Sequence, residues 1–190
     1  MHNYESTHGQ MPPAVVYGSD GQALHSWRVL ILPYIEQGEL YRQFKLDEPW
    51  DSPHNIQLLP KMPRVYGPPW GKRSKVPPNH TICHVFVGRG AAFEGTKGLS
   101  LGKDFFDGTS NTILLIEAGK PVPWTKPEDL AFDPDQPLPD LTGIFNDRIR
   151  IAMADGSRQR IRVGAPEVML RAMITRNGGE VVDYTQLNLR

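Results

Sequence analysis

The chain reads as an α+β domain: short N-terminal helices packed on a mainly antiparallel β-sheet, with many loops. Three observations predict this. The first third carries apolar residues at helical spacing that prolines interrupt. The middle and the end carry short β-branched runs bounded by turn residues. A last helical pattern follows a hairpin signal built on Asp155-Gly156. At 190 residues the chain suits one domain, 1–190, with a real core. Its 18 prolines and 18 glycines are about a fifth of all residues, so the elements should be short.

The elements follow in order. Ala14 to Tyr17 lies between turn clusters and suits a short strand. Ser26 is placed as an N-cap, after which Trp27, Leu30, Ile31, Tyr34 and Ile35 form one apolar face. Pro33 falls inside that pattern and should split it, because it lacks an amide and its ring clashes with the preceding turn. Gly38 opens a second short helix carrying Leu40, Tyr41 and Phe44. Ser52-Pro53 signals another helix start, with Pro60 and Pro63 ending it. Residues 67–79 read as loop, with Lys72, Arg73 and Lys75 as a solvated basic tip.

Thr81 to Val87 reads as a strand that Gly88-Arg89-Gly90 ends; these glycines lack the rest of a nucleotide-binding fingerprint. Asp104 to Glu117 is the organising stretch. Asp107-Gly108 supplies a turn with positive φ, Ser110 and Asn111 are expected to bond nearby amides, and Ile113 to Ile116 is a buried strand within 112–118. Residues 119–141 carry six prolines and read as a long loop that Trp124 anchors. Strands near 149–154 and 158–163 flank Asp155-Gly156. Pro166 and Glu167 open the last helix, with Val168, Leu170, Met173 and Ile174 on its buried side and Asn177-Gly178-Gly179 as its stop.

Charge excludes little and suggests little. Cations and acids balance at 21 each, and no basic stripe stands out, so nucleic acid is not an expected partner. The single cysteine, Cys83, rules out an internal disulfide and lies mid-strand, where it packs rather than reacts. His80, Cys83 and His84 are the best local metal candidates. In a strand, however, the two histidines share a face and Cys83 points away, and a structural zinc site wants four ligands. Asp104 with Asp107, or Asp133, Asp135 and Asp140, are acids of the kind Ca²⁺ takes, although turn formation explains them without a cation. Ser110 beside Asp107 has no nucleophile elbow around it, and a pair of glycosidase carboxylates would leave no linear signature. No residue is therefore assigned a catalytic, cofactor-binding or metal-binding role.

Several stretches taken together resemble one family. They are His2-Asn3-Tyr4 with His8-Gly9 and Pro12-Pro13-Ala14, then Ser26-Trp27-Arg28 through Leu32-Pro33-Tyr34-Ile35-Glu36-Gln37. Leu40-Tyr41, Pro49-Trp50-Asp51-Ser52 with His54-Asn55, and Phe86-Val87-Gly88 follow. Asp107-Gly108-Thr109-Ser110-Asn111-Thr112 leading to Glu117 is the strongest, and Pro123 to Pro127 and Ala154-Asp155-Gly156-Ser157 complete the set. Their order resembles the planctomycete secreted, pilin-like proteins called domain of unknown function 1559.

The resemblance implies a pilin-like soluble domain, related to type IV pilins and type II secretion pseudopilins. Its membrane-anchoring helix would lie upstream, and it would sit in the cell envelope, periplasmic or at the cell surface. The alternative is a cytoplasmic protein. The implied role is non-enzymatic: assembly as a homo-oligomer or with envelope proteins, with no cofactor. A second reading is a module for extracellular polysaccharide or peptide, using Trp50, Trp70 or Trp124 as stacking platforms. A third is a metal-dependent hydrolase using His80, His84 and nearby acids. One departure stands out. Relatives often carry a histidine ten residues before the second Asp-Gly, and here that position is Phe145.

Overall fold

The structure is a computed structural model that describes residues 1–67, 75–141 and 148–187. Trp70, Lys72, Arg73 and Phe145 lie outside the described residues. The fold is α+β, with mostly antiparallel strand pairs. The chain forms two compact units, each gathered from separate stretches. One comprises Met1–Ile82, Thr96–Gly98 and Pro121–Glu128; the other comprises Cys83–Gly95, Leu99–Lys120 and Asp129–Arg190.

The first unit opens with α1 (His2–His8), which Gly9 ends in a left-handed conformation, its amide bonding Glu5. The helix buries no residue of its own. Tyr4 and His8, four apart on one face, stack at 4.0 Å between ring centroids, and Tyr34 meets both edge-on. Strands β1 (Val15–Tyr17) and β2 (Ala23–Ser26) pair antiparallel around the Ser19-Asp20-Gly21 turn. The sequence reading found the first strand and missed the second. Ser26 hid it by serving twice: it ends β2, and its hydroxyl accepts from the Arg28 amide to cap α2 (Trp27–Leu30).

Pro33 splits the helix as expected. The chain tightens into a 3₁₀ turn at Leu32–Ile35, and α3 (Gly38–Tyr41) follows. Of the proposed apolar face, Trp27 and Ile31 are buried, while Leu30, Tyr34 and Ile35 are half-buried; Arg28 and Val29 are buried instead. The Ser52-Pro53 signal leads into a 3₁₀ helix, Asn55–Lys61, that contains Pro60 rather than stopping at it.

The core of this unit is a run of rings. Trp27 meets Tyr66 edge-on at 6.1 Å, and Tyr66 stacks on Trp124 at 5.7 Å. Trp124 meets Phe44 at 5.9 Å, and Phe44 meets His25 at 5.9 Å. Trp124 is fully buried, and its indole N–H donates to Leu59 O at 3.0 Å.

The 119–141 stretch is thus more ordered than its prolines suggested. Strand β5 runs Ile113–Pro123, well past the expected end at 118, and β6 (Leu130–Phe132) lies inside the stretch. Pro121 and Pro123 stand two apart, so their missing amides fall on the same edge of β5. The pairing of β5 with β7 has already ended at Glu117.

The predicted single strand at 81–87 is two, β3 (His80–His84) and β4 (Phe86–Gly88), broken at Val85. The break lets β4 pair in parallel with β6. Gly88 is required there, because a Cβ on it would lie 1.7 Å from the Phe132 carbonyl oxygen. The four-stranded sheet runs in the order β3-β5-β7-β8, with β7 (Arg148–Met153) and β8 (Arg158–Arg162) forming the expected hairpin.

Helix α4 (Glu167–Ile174) buries Leu170, Met173 and Ile174. Val168 does not join them and is 63% exposed. It stands two residues before Leu170, roughly 200° round the helix at about 100° per residue. The helix also stops at Ile174, short of the expected Asn177-Gly178-Gly179 signal. Thr175 turns extended and bridges to Ala91. The core of this second unit joins Phe86, Ile113, Ile116, Phe132, Ile149, Ile151, Ile161 and Met173 among others.

Candidate functional site

The Asp107–Thr112 stretch is a hydrogen-bonded knot. Gly108 has φ 91°, as the Asp-Gly turn requires. Asn111 Nδ2 donates to the Asp107 carbonyl at 2.8 Å, and the Thr112 hydroxyl donates to the Gly108 carbonyl at 3.1 Å. These side chains close the turn through carbonyls, not through the amides expected.

The knot then reaches distant parts of the same unit. The Asp107 carboxylate accepts the amides of Gly178 and Gly179 at 2.7 and 2.9 Å, while its own amide donates to Arg176 O at 3.0 Å. Gly178 and Gly179, which read in the sequence as a helix stop, therefore supply two donors to an acid. The Tyr184 hydroxyl lies 2.7 Å from Asn111 Oδ1 and 3.1 Å from Ser110 O. The amides of Asp155 and Ala154 donate to Thr109 O and Thr112 O at 3.0 and 2.8 Å. The two Asp-Gly motifs, 48 residues apart in the chain, are thus bonded to each other.

Motif residues of the first unit are used in the same way. Asn55 is fully buried. Its Oδ1 accepts the Lys45 amide, and its Nδ2 reaches the carbonyls of Lys45, Glu48 and Pro49 at 2.9 to 3.2 Å. Arg28 is fully buried as well, with Nη1 donating to Ser26 Oγ at 2.8 Å and its guanidinium carbon 4.8 Å from the centre of the Trp27 ring. Sequence reasoning placed neither of these residues.

The candidates for chemistry are dispersed. His84 is buried, its Nε2 donating to Lys120 O at 3.0 Å and its Nδ1 lying 3.5 Å from the Asp129 carboxylate. His80 turns to Pro78 O at 2.8 Å, and Cys83 is half-buried and forms no disulfide. Asp104 accepts the Ser100 amide at 2.7 Å. Asp133 and Asp135 pair with Arg89, and Asp133 also accepts the Asp135 amide, which holds its carboxyl below the usual range together with Arg89. Asp140 is exposed. Among the described residues no three His, Cys, Asp or Glu side chains gather to hold a metal ion. Trp124 is buried in the ring stack, so it offers no stacking platform; Trp50 is half-buried.

One feature of the surface contradicts the sequence reading. A basic stripe exists. The β7–β8 register sets Arg148 opposite Arg162, Arg150 opposite Arg160 and Ala152 opposite Arg158, while Ile149 and Ile161 face the core. Five arginines therefore share one face. Only a period of two reveals this, and the Arg-Ile-Arg and Arg-Gln-Arg-Ile-Arg runs carry that period. Glu117 borders the face, 3.7 Å from Arg150, and burial pushes its carboxyl up against the opposing pull of that arginine.

A family model described as SBP_bac_10, protein of unknown function (DUF1559), matches residues 1–66. The match supports, over about a third of the chain, the family that the motifs resemble. No curated protein and no solved structure matches the chain.

Proposed function

We propose that the chain is a non-enzymatic, pilin- or pseudopilin-like domain of the cell envelope that assembles with, or binds, envelope or extracellular components. One observation carries this reading: the polar side chains of the family motifs bond their own backbone. Asp107, Asn111, Thr112 and Asn55 hold loops and turns together, and Tyr184 and Gly178-Gly179 complete the knot. Side chains committed in this way build a scaffold. Among the described residues no helix is long and apolar enough to cross a membrane. Anchoring through an upstream helix, which the family resemblance implies, is part of the proposal.

The test is fractionation and crosslinking of the full-length protein in its own cells. The proposal expects recovery with the envelope fraction and crosslinks to itself or to envelope proteins. Recovery solely as a cytoplasmic monomer would overturn it.

A further inference from the structure

We propose that the outer face of the β7–β8 hairpin is a docking surface for a linear acidic polysaccharide, held by a row of arginine guanidiniums. The hairpin segment 148–162 contains five arginines and one acid, Asp155, in a chain whose 21 cations and 21 acids balance only when the hairpin is included. Arg148, Arg158, Arg160 and Arg162 are exposed. Two like-charge pairs stand directly opposite each other, Arg148 with Arg162 and Arg150 with Arg160. Such pairs oppose strand pairing, and the Glu117 carboxylate, 3.7 Å from Arg150, already offsets part of one of them. Arg148 and Arg150 also engage other groups, so the surface rests chiefly on Arg158, Arg160 and Arg162 along β8.

Geometry favours a polymer over a compact anion. Alternate residues on one strand stand about 6.6–6.8 Å apart, so β8 presents three guanidiniums in line. β8 ends the sheet order, so this row lies at the sheet edge. A guanidinium takes a carboxylate through two parallel N–H donors, which a lysine ammonium cannot do. A small anion would satisfy one or two of these forks; a chain with acid groups along one side would meet all three.

On the hairpin and on the neighbouring β5 the remaining positions of the face, among the described residues, are Ala152, Leu115 and Glu117, none of which offers a ring on which a base would stack. Among the described residues no large exposed apolar side chain stands on β7 or β8 to enter a bilayer. The choice of a polysaccharide rests on the envelope reading above, whereas the arginine face itself does not.

The experiment measures binding of the protein to polygalacturonate at two salt concentrations, with single-stranded DNA and anionic phosphatidylserine vesicles run in parallel. Wild-type protein should bind polygalacturonate more tightly than either alternative and lose affinity as salt rises. The variant Arg158→Gln/Arg160→Gln/Arg162→Gln should bind at least about tenfold more weakly and melt no lower than wild type. A control with the same charge change, Lys97→Gln/Lys103→Gln/Lys120→Gln, should stay within about twofold of wild type. If the first variant fails to fold, Arg158→Lys/Arg160→Lys/Arg162→Lys keeps the charge and should still weaken binding, by roughly threefold or more. No binding by wild type, equal loss in the control, unchanged affinity in the lysine variant, or preference for DNA or vesicles would overturn the proposal. Polymer binding without envelope fractionation would uphold the face and count only against the cellular reading.

Discussion

At the scale of single residues, two glycines separate strain from collision. Gly108 sits at φ 91° with open space around it, the nearest side-chain atoms to an added Cβ lying 3.8 and 4.0 Å away. Gly108→Ala should therefore cost only the left-handed backbone term, about 1 kcal/mol. At Gly88 an added Cβ would meet the Phe132 backbone at 1.7 Å, so β4 or β6 must move. Gly88→Ala should cost about 3 kcal/mol or more. Thermal or urea unfolding of both variants checks the order; equal losses would show that the β4–β6 approach is looser than it looks. Asp107→Ala removes the acceptor of two amides and should cost about 2 kcal/mol, the usual scale for bonds to a charged group.

His25 carries a prediction about pH. It is fully buried, its Nε2 donates to Lys45 O at 3.3 Å, and Nδ1 has no hydrogen-bond partner among the described residues. Burial lowers its proton affinity below the ordinary 6.5, and the nearby backbone carbonyls offset only part of this. The unfolded chain therefore binds that proton more readily than the folded one. The stability this neutral ring contributes is present above 6.5 and is lost as pH falls through that value toward the depressed folded one. Melting temperature should drop on acidification across this range, and His25→Gln should flatten the drop. An unchanged slope in the variant would place the titration elsewhere.

At the scale of elements, local chemistry was legible and pairing was not. The Asp155-Gly156 hairpin, the Pro33 split and the Ser26 cap were all readable, because each depends on residues within a few positions. The break at Val85 was not, since it depends on β6, over forty residues away. The length of β5 escaped for a similar reason: Pro121 and Pro123 look like loop residues until the edge they face is known. Val168 shows the limit of a short helix, where an eight-residue segment leaves the apolar face underdetermined. Trp124 anchors its stretch, as a lone indole in a Pro-rich run suggests. Truncating Trp124→Ala in the ring stack should cost roughly 3–5 kcal/mol, measured by denaturant unfolding. A loss below about 1 kcal/mol would mean that the stack closes over the gap.

At the scale of the whole molecule, balanced charge concealed local asymmetry. Counting cations and acids gives zero, yet strand register collects five arginines on one face. The knot was hidden in the same way. Asp107–Thr112 was legible as a turn and as a family signature, but its partners at 154–155, 176–179 and Tyr184 lie far along the chain. Once those partners are known, the signature has a folding role that accounts for Asp107, Asn111 and Thr112 atom by atom.

We propose that this signature acts by holding the fold together. The most direct test is Asp107→Ala, assayed both for thermal unfolding and, below its melting temperature, for polygalacturonate binding and envelope association. A clear fall in melting temperature is expected, with both associations retained in the folded variant. A variant that melts with wild type yet loses either association would contradict it.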